Sequence, residues 1–169
     1  MFINREELER HPVEFNTNFE IGGLDFRGTD IRQLSPLKFA GKANLIGEDI
    51  RITGRLEGRM GKPCDRCLEP TGFDLKWEID LFYRPLASIA QAEELGISDG
   101  DTSVAFYAGG SIALRDVAGE QVILSVPIKA LCRADCKGLC PLCGTNRNRT
   151  ACGCRMPQKV SPFEVLKKR

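Results

Sequence analysis

The sequence predicts an α+β fold: a mainly antiparallel β-sheet, one or two helices and a cysteine-rich, zinc-binding C-terminal extension. Three observations predict it. Apolar and polar residues alternate in several segments of the first half, one later segment has helical spacing, and six of the eight cysteines lie between residues 132 and 154. A length of 169 residues suits one domain, or one domain with a small appendage. We expect a β-rich core domain over residues 1–131, with a Cys-x2-Cys pair at a hairpin tip, and a basic, cysteine-rich module over residues 132–169.

The first predicted strands precede residue 47. Apolar residues alternate with polar ones from residue 13 to residue 21, which is the period of a half-buried strand. Gly22 and Gly23 end this strand. Residues 39–46 favour a second strand, although their pattern is less regular.

The clearest pattern is that of a β-hairpin. Apolar side chains occupy alternate positions in residues 50–60 and 73–83, and the positions between them hold mostly arginines in the first segment and acids in the second. This pattern predicts two antiparallel strands, apolar inward, whose charged outer faces pair across the hairpin. The connection, residues 61–72, contains Cys64 and Cys67.

The pattern is weaker after the hairpin. Residues 86–103 carry acids around glycines, which indicates a loose acidic excursion with at most one helical turn. Residues 104–107 suit a short strand. Residues 112–126 have helical spacing, and the proline that follows them ends the predicted helix. A short terminal helix is predicted over residues 162–166.

Composition and the N-terminal residues favour some classes of protein over others. No apolar run of signal-peptide length follows the first methionine, and no window approaches the roughly 18 apolar residues of a membrane helix. We therefore expect a cytoplasmic protein, whose thiols stay reduced and ligate metal more readily than they form disulfides. The single histidine, His11, argues against most catalytic zinc sites, which usually use two or three.

The cysteine spacing predicts metal sites. Two cysteines separated by two residues can bind one ion when the turn between them curls back, and in residues 140–144 a proline and a glycine favour such a turn. Thiolates are soft ligands, and four of them form the usual closed structural zinc site. The predicted metal ligands are Cys64, Cys67, Cys132, Cys136, Cys140, Cys143, Cys152 and Cys154.

Eight cysteines allow two four-thiolate sites, and two partitions are open. The preferred one joins the hairpin pair to Cys132 and Cys136, which would tie the C-terminal segment to the sheet, and leaves the other four as the second site. It is favoured because Cys152 and Cys154 need a nearby partner pair. The competing partition keeps the four cysteines of residues 132–143 together, which closes shorter loops at a slightly lower entropic cost.

A redox enzyme is a third interpretation of the hairpin pair. Arg66 and Lys62 could lower the pKa of a neighbouring thiol. A thioredoxin-like motif, however, precedes a helix in a βαβ unit, whereas this pair lies between predicted antiparallel strands.

Positive charge is concentrated in the C-terminal segment. The formal net charge is +1, but residues 132–169 hold nine basic and two acidic residues, a balance of +7. Basic side chains on a small zinc module suit contact with nucleic-acid phosphates. The alternative is that they only offset thiolate charge. No aromatic stacking platform accompanies them, so base-specific reading of single strands is not indicated. The candidate nucleic-acid-binding residues are Arg133, Lys137, Arg147, Arg149 and Arg155.

Four motifs together resemble the YceD family. They are residues 64–70, residues 116–127, residues 137–146 with the Cys-Gly-Cys that follows, and residues 161–167. The resemblance covers about residues 45–169, and the order of the motifs is more specific than any one of them. In one departure, Arg147 and Arg149 flank Asn148, where the family more often has an Asn-Leu-Asn stretch, so this loop is more basic.

The resemblance implies a non-enzymatic, metal-binding protein of ribosome biogenesis, needed for accumulation of the large-subunit (23S) ribosomal RNA. The implied partners are ribosomal RNA, a pre-ribosomal particle or a ribosomal protein, without a membrane or a small-molecule substrate. An alternative interpretation is a zinc-stabilised protein-interaction module or regulator that makes no contact with nucleic acid.

Overall fold

The computed structural model describes residues 1–88 and 104–155. The β-strands are β1 (Phe2–Asn4), β2 (Val13–Phe19), β3 (Arg32–Gln33), β4 (Leu37–Ile46), β5 (Asp49–Pro63), β6 (Pro70–Pro85), β7 (Val104–Tyr107) and β8 (Ser111–Ala113). The helices are α1 (Arg5–Leu8) and α2 (Leu114–Ser125), and a 3-10 turn spans Leu86–Ser88.

Most strands join one sheet of order β2-β4-β5-β6-β7, in which β3 pairs with the far end of β5. All its neighbouring pairs are antiparallel except β6 with β7, which is parallel. The short strands β1 and β8 form a separate antiparallel pair. The predicted α+β class with a mainly antiparallel sheet is confirmed.

The β5–β6 hairpin dominates the sheet and extends beyond the two predicted segments. Its last pair is Pro63 opposite Pro70, so the connection shrinks from residues 61–72 to residues 64–69. The glycines that suggested a break, Gly61 and Gly72, face each other across the hairpin. Leu34 lies over both, since a Cβ added to either glycine would come within 3.1 Å of Leu34 Cδ1.

The outer face of the hairpin carries the predicted charge pairs. Arg51 Nη2 lies 2.7 Å from Asp80 Oδ2, and Arg55 pairs with Glu78, which is directly opposite it. Exposed pairs of this kind contribute little stability singly, about 0–1 kcal/mol each. Together these charge pairs favour one register of β5 against β6, and that register keeps the apolar side chains of both strands on the inner face.

The core forms where the inner face of the sheet meets α2. Phe39, Ile52 and Leu56 are fully buried, and α2 adds buried residues over 114–122. Trp77 lies on the predicted inner face, opposite the fully buried Leu56, but is 37% exposed. Its indole N–H donates to Gln121 Oε1 at 3.2 Å on α2, so the ring covers the margin of the core.

Several predicted boundaries move. The strand predicted over residues 13–21 ends at Phe19, and Ile21 lies in a turn and is 61% exposed. The helix predicted over residues 112–126 begins at Leu114, because the residues before it pair with β1. Residues 89–103 of the acidic excursion and the terminal helix over residues 162–166 lie outside the described residues. In the described ranges, no helix is long and apolar enough to cross a membrane.

Candidate metal centres

The eight cysteines gather in two groups of four. The hairpin cluster contains Cys64, Cys67, Cys132 and Cys136, and the tail cluster contains Cys140, Cys143, Cys152 and Cys154. Within each cluster all four sulfurs lie within 4.8 Å of one another. This is the grouping that the sequence favoured, and it differs from the more local one that would have kept residues 132–143 together.

The sulfur spacing fits a tetrahedral metal site. A Zn–S bond of about 2.3 Å places the corners of a tetrahedron about 3.8 Å apart. In the hairpin cluster, Cys64 Sγ lies 3.8 Å from Cys136 Sγ, and Cys67 Sγ lies 3.6 Å from Cys132 Sγ. These distances are too long for a disulfide, about 2.05 Å, and every cysteine is a free thiol. Both clusters could therefore hold a metal ion.

The hairpin pair lies in a tight turn that closes on itself. The Cys64 N–H donates to Glu69 O at 2.8 Å, and the Leu68 N–H donates to Cys64 O at 2.9 Å. Leu68 takes a φ of +61°, a left-handed conformation that costs a non-glycine residue about 1–2 kcal/mol. The sequence predicts a hairpin tip here, but no glycine follows Cys67 to signal the left-handed position that Leu68 occupies.

The first tail pair lies in a turn with the same two hydrogen bonds. The Cys140 N–H donates to Thr145 O, and the Gly144 N–H donates to Cys140 O, both at 2.8 Å. Gly144 has a φ of +72°, as its position after the second cysteine predicts. The Cys-x2-Cys turns of the two clusters therefore share one hydrogen-bond pattern. Only the tail turn has a glycine at the left-handed position, so only that turn could be predicted from the sequence.

The segment before the tail cluster docks on the hairpin tip through backbone and side-chain hydrogen bonds of Asp65 and Arg66. The Asp65 N–H donates to Ala130 O at 2.9 Å, and the Asp65 carboxylate accepts the Ala130 N–H at 2.6 Å. The Leu139 N–H donates to Arg66 O at 2.9 Å, and the Arg66 guanidinium donates to Cys136 O at 2.8 Å. These bonds bring the later cysteines to the hairpin pair, which closes the hairpin cluster.

The thiols have strongly shifted pKa values. Burial acts to raise the pKa of Cys64, but backbone N–H groups, that of Arg66 foremost, outweigh it and lower the pKa to about 6. The Thr145 hydroxyl, 3.2 Å from Cys143 Sγ, is the main cause that lowers the pKa of Cys143 to about 6. Burial and the neighbouring sulfurs raise the pKa of Cys132 to about 12. Each cluster thus favours the thiolate form at some sulfurs, and a cation would offset the repulsion at the others.

A basic loop, residues 145–150, lies between the clusters and is folded by contacts with the hairpin tip. The Asn146 amide donates to Glu69 Oε1 at 3.1 Å, and Arg149 Nη2 lies 2.9 Å from the same oxygen. The Asn148 amide donates to Cys136 Sγ at 3.3 Å. The sequence drew attention to the arginines of this loop but gave no signal for the anchoring role of its asparagines, because their partners are brought close only by folding.

The five candidate nucleic-acid-binding residues are all exposed, and two of them, Arg147 and Arg149, lie in this loop. Two are engaged within the chain: Arg149 pairs with Glu69, and Arg133 lies 3.3 Å from Asp135 and donates to Asn148 Oδ1. Among the described residues no ion pair engages the side chains of the other three, which are Lys137, Arg147 and Arg155.

Comparison with known proteins places this geometry in context. The family model described as "Large ribosomal RNA subunit accumulation protein YceD" matches residues 52–168. The uncharacterized protein YlbN of Bacillus subtilis is 22% identical over 129 residues, which are 76% of this chain and 70% of that protein. The uncharacterized protein Rv2926c of Mycobacterium tuberculosis is 28% identical over 100 residues, 59% of this chain.

The uncharacterized protein ML1660 of Mycobacterium leprae is 25% identical over 113 residues, 66% of this chain. The matched regions are 49% of that protein and 45% of Rv2926c, so the chain spans about half the length of these mycobacterial relatives. No solved structure matches the chain significantly.

Proposed function

The chain belongs to the YceD family of large ribosomal RNA subunit accumulation proteins, and from this premise we propose that it is a non-enzymatic ribosome-biogenesis factor of the cytoplasm. In this proposal it binds metal, contacts ribosomal RNA or a pre-ribosomal particle, and supports the accumulation of 23S ribosomal RNA. The observation that carries the proposal is the pair of four-cysteine clusters on either side of an exposed basic loop.

We assign one zinc ion to each cluster, with all eight cysteines as ligands. Four thiolates suit zinc, and a closed set of four protein ligands is typical of a structural site, since no position is left for water or substrate. Zinc in the hairpin cluster would bond the C-terminal segment to the sheet. Zinc in the tail cluster would hold the basic loop from its other side.

The RNA contact is assigned to the exposed lysine and arginine side chains in and near the loop. Each four-thiolate zinc site carries about −2, so two sites offset about four of the seven excess positive charges in residues 132–169. The segment therefore stays positive when both sites are filled. Lys137, Arg147 and Arg155 are the strongest phosphate contacts in this proposal, because no ion pair within the described residues competes for them.

The two predicted domains have different tasks in this proposal. Residues 1–131 provide a scaffold whose sheet presents the hairpin tip. Residues 132–169 form the module that meets the ribosomal partner, either RNA or a ribosomal protein beside it. The docking bonds at Asp65 and Arg66 would transmit the orientation of the scaffold to the module.

Depletion of the protein in cells tests the role in RNA accumulation. Mature 23S ribosomal RNA should fall, and the tagged protein should co-sediment with pre-ribosomal particles. A chain carrying Lys137→Gln and Arg147→Gln should rescue the RNA poorly. Lys38→Gln, which removes one exposed basic side chain from β4, should rescue 23S RNA accumulation fully. Unchanged 23S RNA after depletion, together with no co-sedimentation, would contradict the proposal.

Exposed apolar side chains favour one alternative, a protein-interaction module without RNA contact. Leu68 and Leu142, in the two cysteine turns, are 64% and 53% exposed. Salt dependence separates the two functions. Three phosphate contacts predict that log K falls with log salt with a slope of about −2 to −3, whereas an apolar protein interface predicts a slope near zero.

A further inference from the structure

Asn148 lies where the hairpin cluster meets the basic loop. Its amide nitrogen is 3.3 Å from Cys136 Sγ. Its amide oxygen accepts the Lys137 N–H at 2.8 Å and the Arg133 guanidinium at 2.9 Å. One side chain therefore contacts a cluster sulfur, the backbone beside that sulfur and a neighbouring arginine.

The chemistry of its partners fixes the orientation of this amide. A backbone N–H and a guanidinium can only donate hydrogen bonds, so the oxygen of Asn148 must face Lys137 and Arg133. The amide NH2 is then left to face Cys136, and a thiolate is an acceptor. The arrangement uses both ends of the amide, and a flipped amide would lose every one of these bonds.

The backbone of the same loop is held on both sides of Arg147. The Asn148 N–H donates to Asn146 Oδ1 at 3.0 Å, and Asn146 is itself anchored to Glu69. The Arg147 N–H donates to Gly138 O at 3.0 Å. Arg147 is thus carried between two anchored asparagines, one of which is bonded to a sulfur of the hairpin cluster.

We infer that Asn148 is a positioning residue that orients the Cys136 thiolate as a metal ligand and, through the same amide, ties the phosphate-contacting loop to the metal site. Metal binding in the hairpin cluster then sets how Lys137 and Arg147 are presented to RNA phosphates. The inference rests on the proposed function, because it takes metal binding and RNA contact as given and names the side chain that couples them. Partners that orient metal ligands are commonly worth about 10–100-fold in metal affinity.

Cobalt substitution of the full chain tests the contact to the ligand. A hydrogen bond to a thiolate stabilises its electrons, so its removal should move the thiolate-to-cobalt charge-transfer band to longer wavelength. We expect this shift for Asn148→Ala, with about 10–100-fold weaker binding of one of the two cobalt ions. Asn148→Asp keeps an oxygen acceptor for Lys137 but turns a carboxylate oxygen toward the sulfur, so its cobalt affinity should fall further.

Asn146→Ala is the matched control, since it loosens the same loop without removing a contact to any sulfur. Its charge-transfer band should match that of the wild type. An unshifted band in Asn148→Ala, or equal shifts in both variants, would overturn the positioning role.

Binding to transcribed 23S ribosomal RNA tests the coupling. Asn148→Ala should bind several-fold more weakly than wild type, and removal of metal from wild type should produce a loss of at least that size. Equal RNA affinity of wild type with and without metal would overturn the coupling. If wild type binds no RNA, the proposed RNA contact fails and the coupling with it, while the cobalt spectrum alone still decides the contact to Cys136.

Discussion

The hairpin cluster and the tail cluster share a turn but differ in what they join. In the hairpin cluster three of four cysteines are buried, and Cys64 and Cys136 are 72 residues apart in sequence. The tail cluster spans only residues 140–154, and two of its cysteines, Cys143 and Cys154, are exposed. One site therefore joins distant parts of the chain, and the other folds a local segment.

This difference assigns each cluster a thermodynamic role. Closure of a long loop carries a larger entropic cost than closure of a short one, although the dependence is only logarithmic. The hydrogen bonds of Asp65 and Arg66 to residues 130–139 offset part of that cost at the hairpin cluster. Metal binding there should stabilise tertiary structure, whereas metal binding at the tail cluster should mainly order the loop that contacts it.

Removal of the hairpin ligands should have the greater effect. Cys64→Ser with Cys67→Ser should lose one metal equivalent and the docking of residues 130–139, because the apparent binding free energy of a structural zinc site, about 10–16 kcal/mol, is folding free energy. Trypsin should then cleave rapidly at Arg133. Cys152→Ser with Cys154→Ser should also lose one equivalent but keep Arg133 protected. Equal cleavage in both variants would show that the clusters do not differ in this way.

Two glycines with the same φ, one beside each cluster, allow a finer comparison of the clusters. Gly138, beside the hairpin tip, and Gly144, in the tail turn, both have a φ of +72°. A Cβ on Gly138 would lie 2.9 Å from Arg66 O, whereas a Cβ on Gly144 meets nothing within 4 Å. Gly144→Ala should therefore cost only conformational strain, about 1 kcal/mol, and Gly138→Ala at least about 1 kcal/mol more. Thermal unfolding of both variants, loaded with metal, measures the difference.

The pH of metal release should distinguish the clusters through Thr145. Its hydroxyl favours the Cys143 thiolate, so Thr145→Val should raise the pKa of Cys143 from about 6 toward its ordinary value. A thiol with a lowered pKa adds stability that is lost as pH falls through that pKa, so the variant should lose it at higher pH. Zinc release from the tail cluster should begin about one pH unit higher, with the hairpin cluster unchanged.

Thr145→Ser keeps the hydroxyl and is the matched control for this measurement. A chromogenic chelator follows release as pH is lowered, and the two ions should leave in separable steps. A shift of equal size in Thr145→Ser, or a shift in the hairpin step alone, would contradict the assigned role of the hydroxyl.

The same contrast explains how far the sequence could predict the molecule. Alternation in the hairpin predicted both strands and their charge pairs, because one buried face enforces a period of two. It did not predict the extension to Pro63 and Pro70, since paired glycines and prolines look like a break. The tail turn was visible through Gly144, whereas the hairpin turn uses Leu68 in a conformation that leucine rarely adopts.

The cysteine grouping and the loop anchors were harder to predict. Spacing alone could not exclude the more local grouping. What favours the longer loop is a set of backbone and side-chain hydrogen bonds from Asp65 and Arg66, whose partners cannot be identified from the sequence. Asn146 acts through Glu69, which is 77 residues away in the chain. Asn148 acts through Cys136, a sulfur of the hairpin cluster. Contacts of this kind depend on the docked structure, so a pattern of residue types along the chain does not reveal them.

The smallest expected effect concerns two arginines of the basic loop, Arg147 and Arg149, which differ in whether an ion pair engages them. No ion pair engages Arg147 within the described residues, whereas Arg149 bonds Glu69 beside the hairpin cluster. Arg147→Gln should reduce the salt slope of binding to 23S ribosomal RNA by about one. Arg149→Gln should reduce it by clearly less, because Arg149 must give up an ion pair before it can neutralise a phosphate. Equal reductions in the two variants would mean that RNA displaces Glu69 from Arg149, so that the hairpin tip itself responds to the bound RNA.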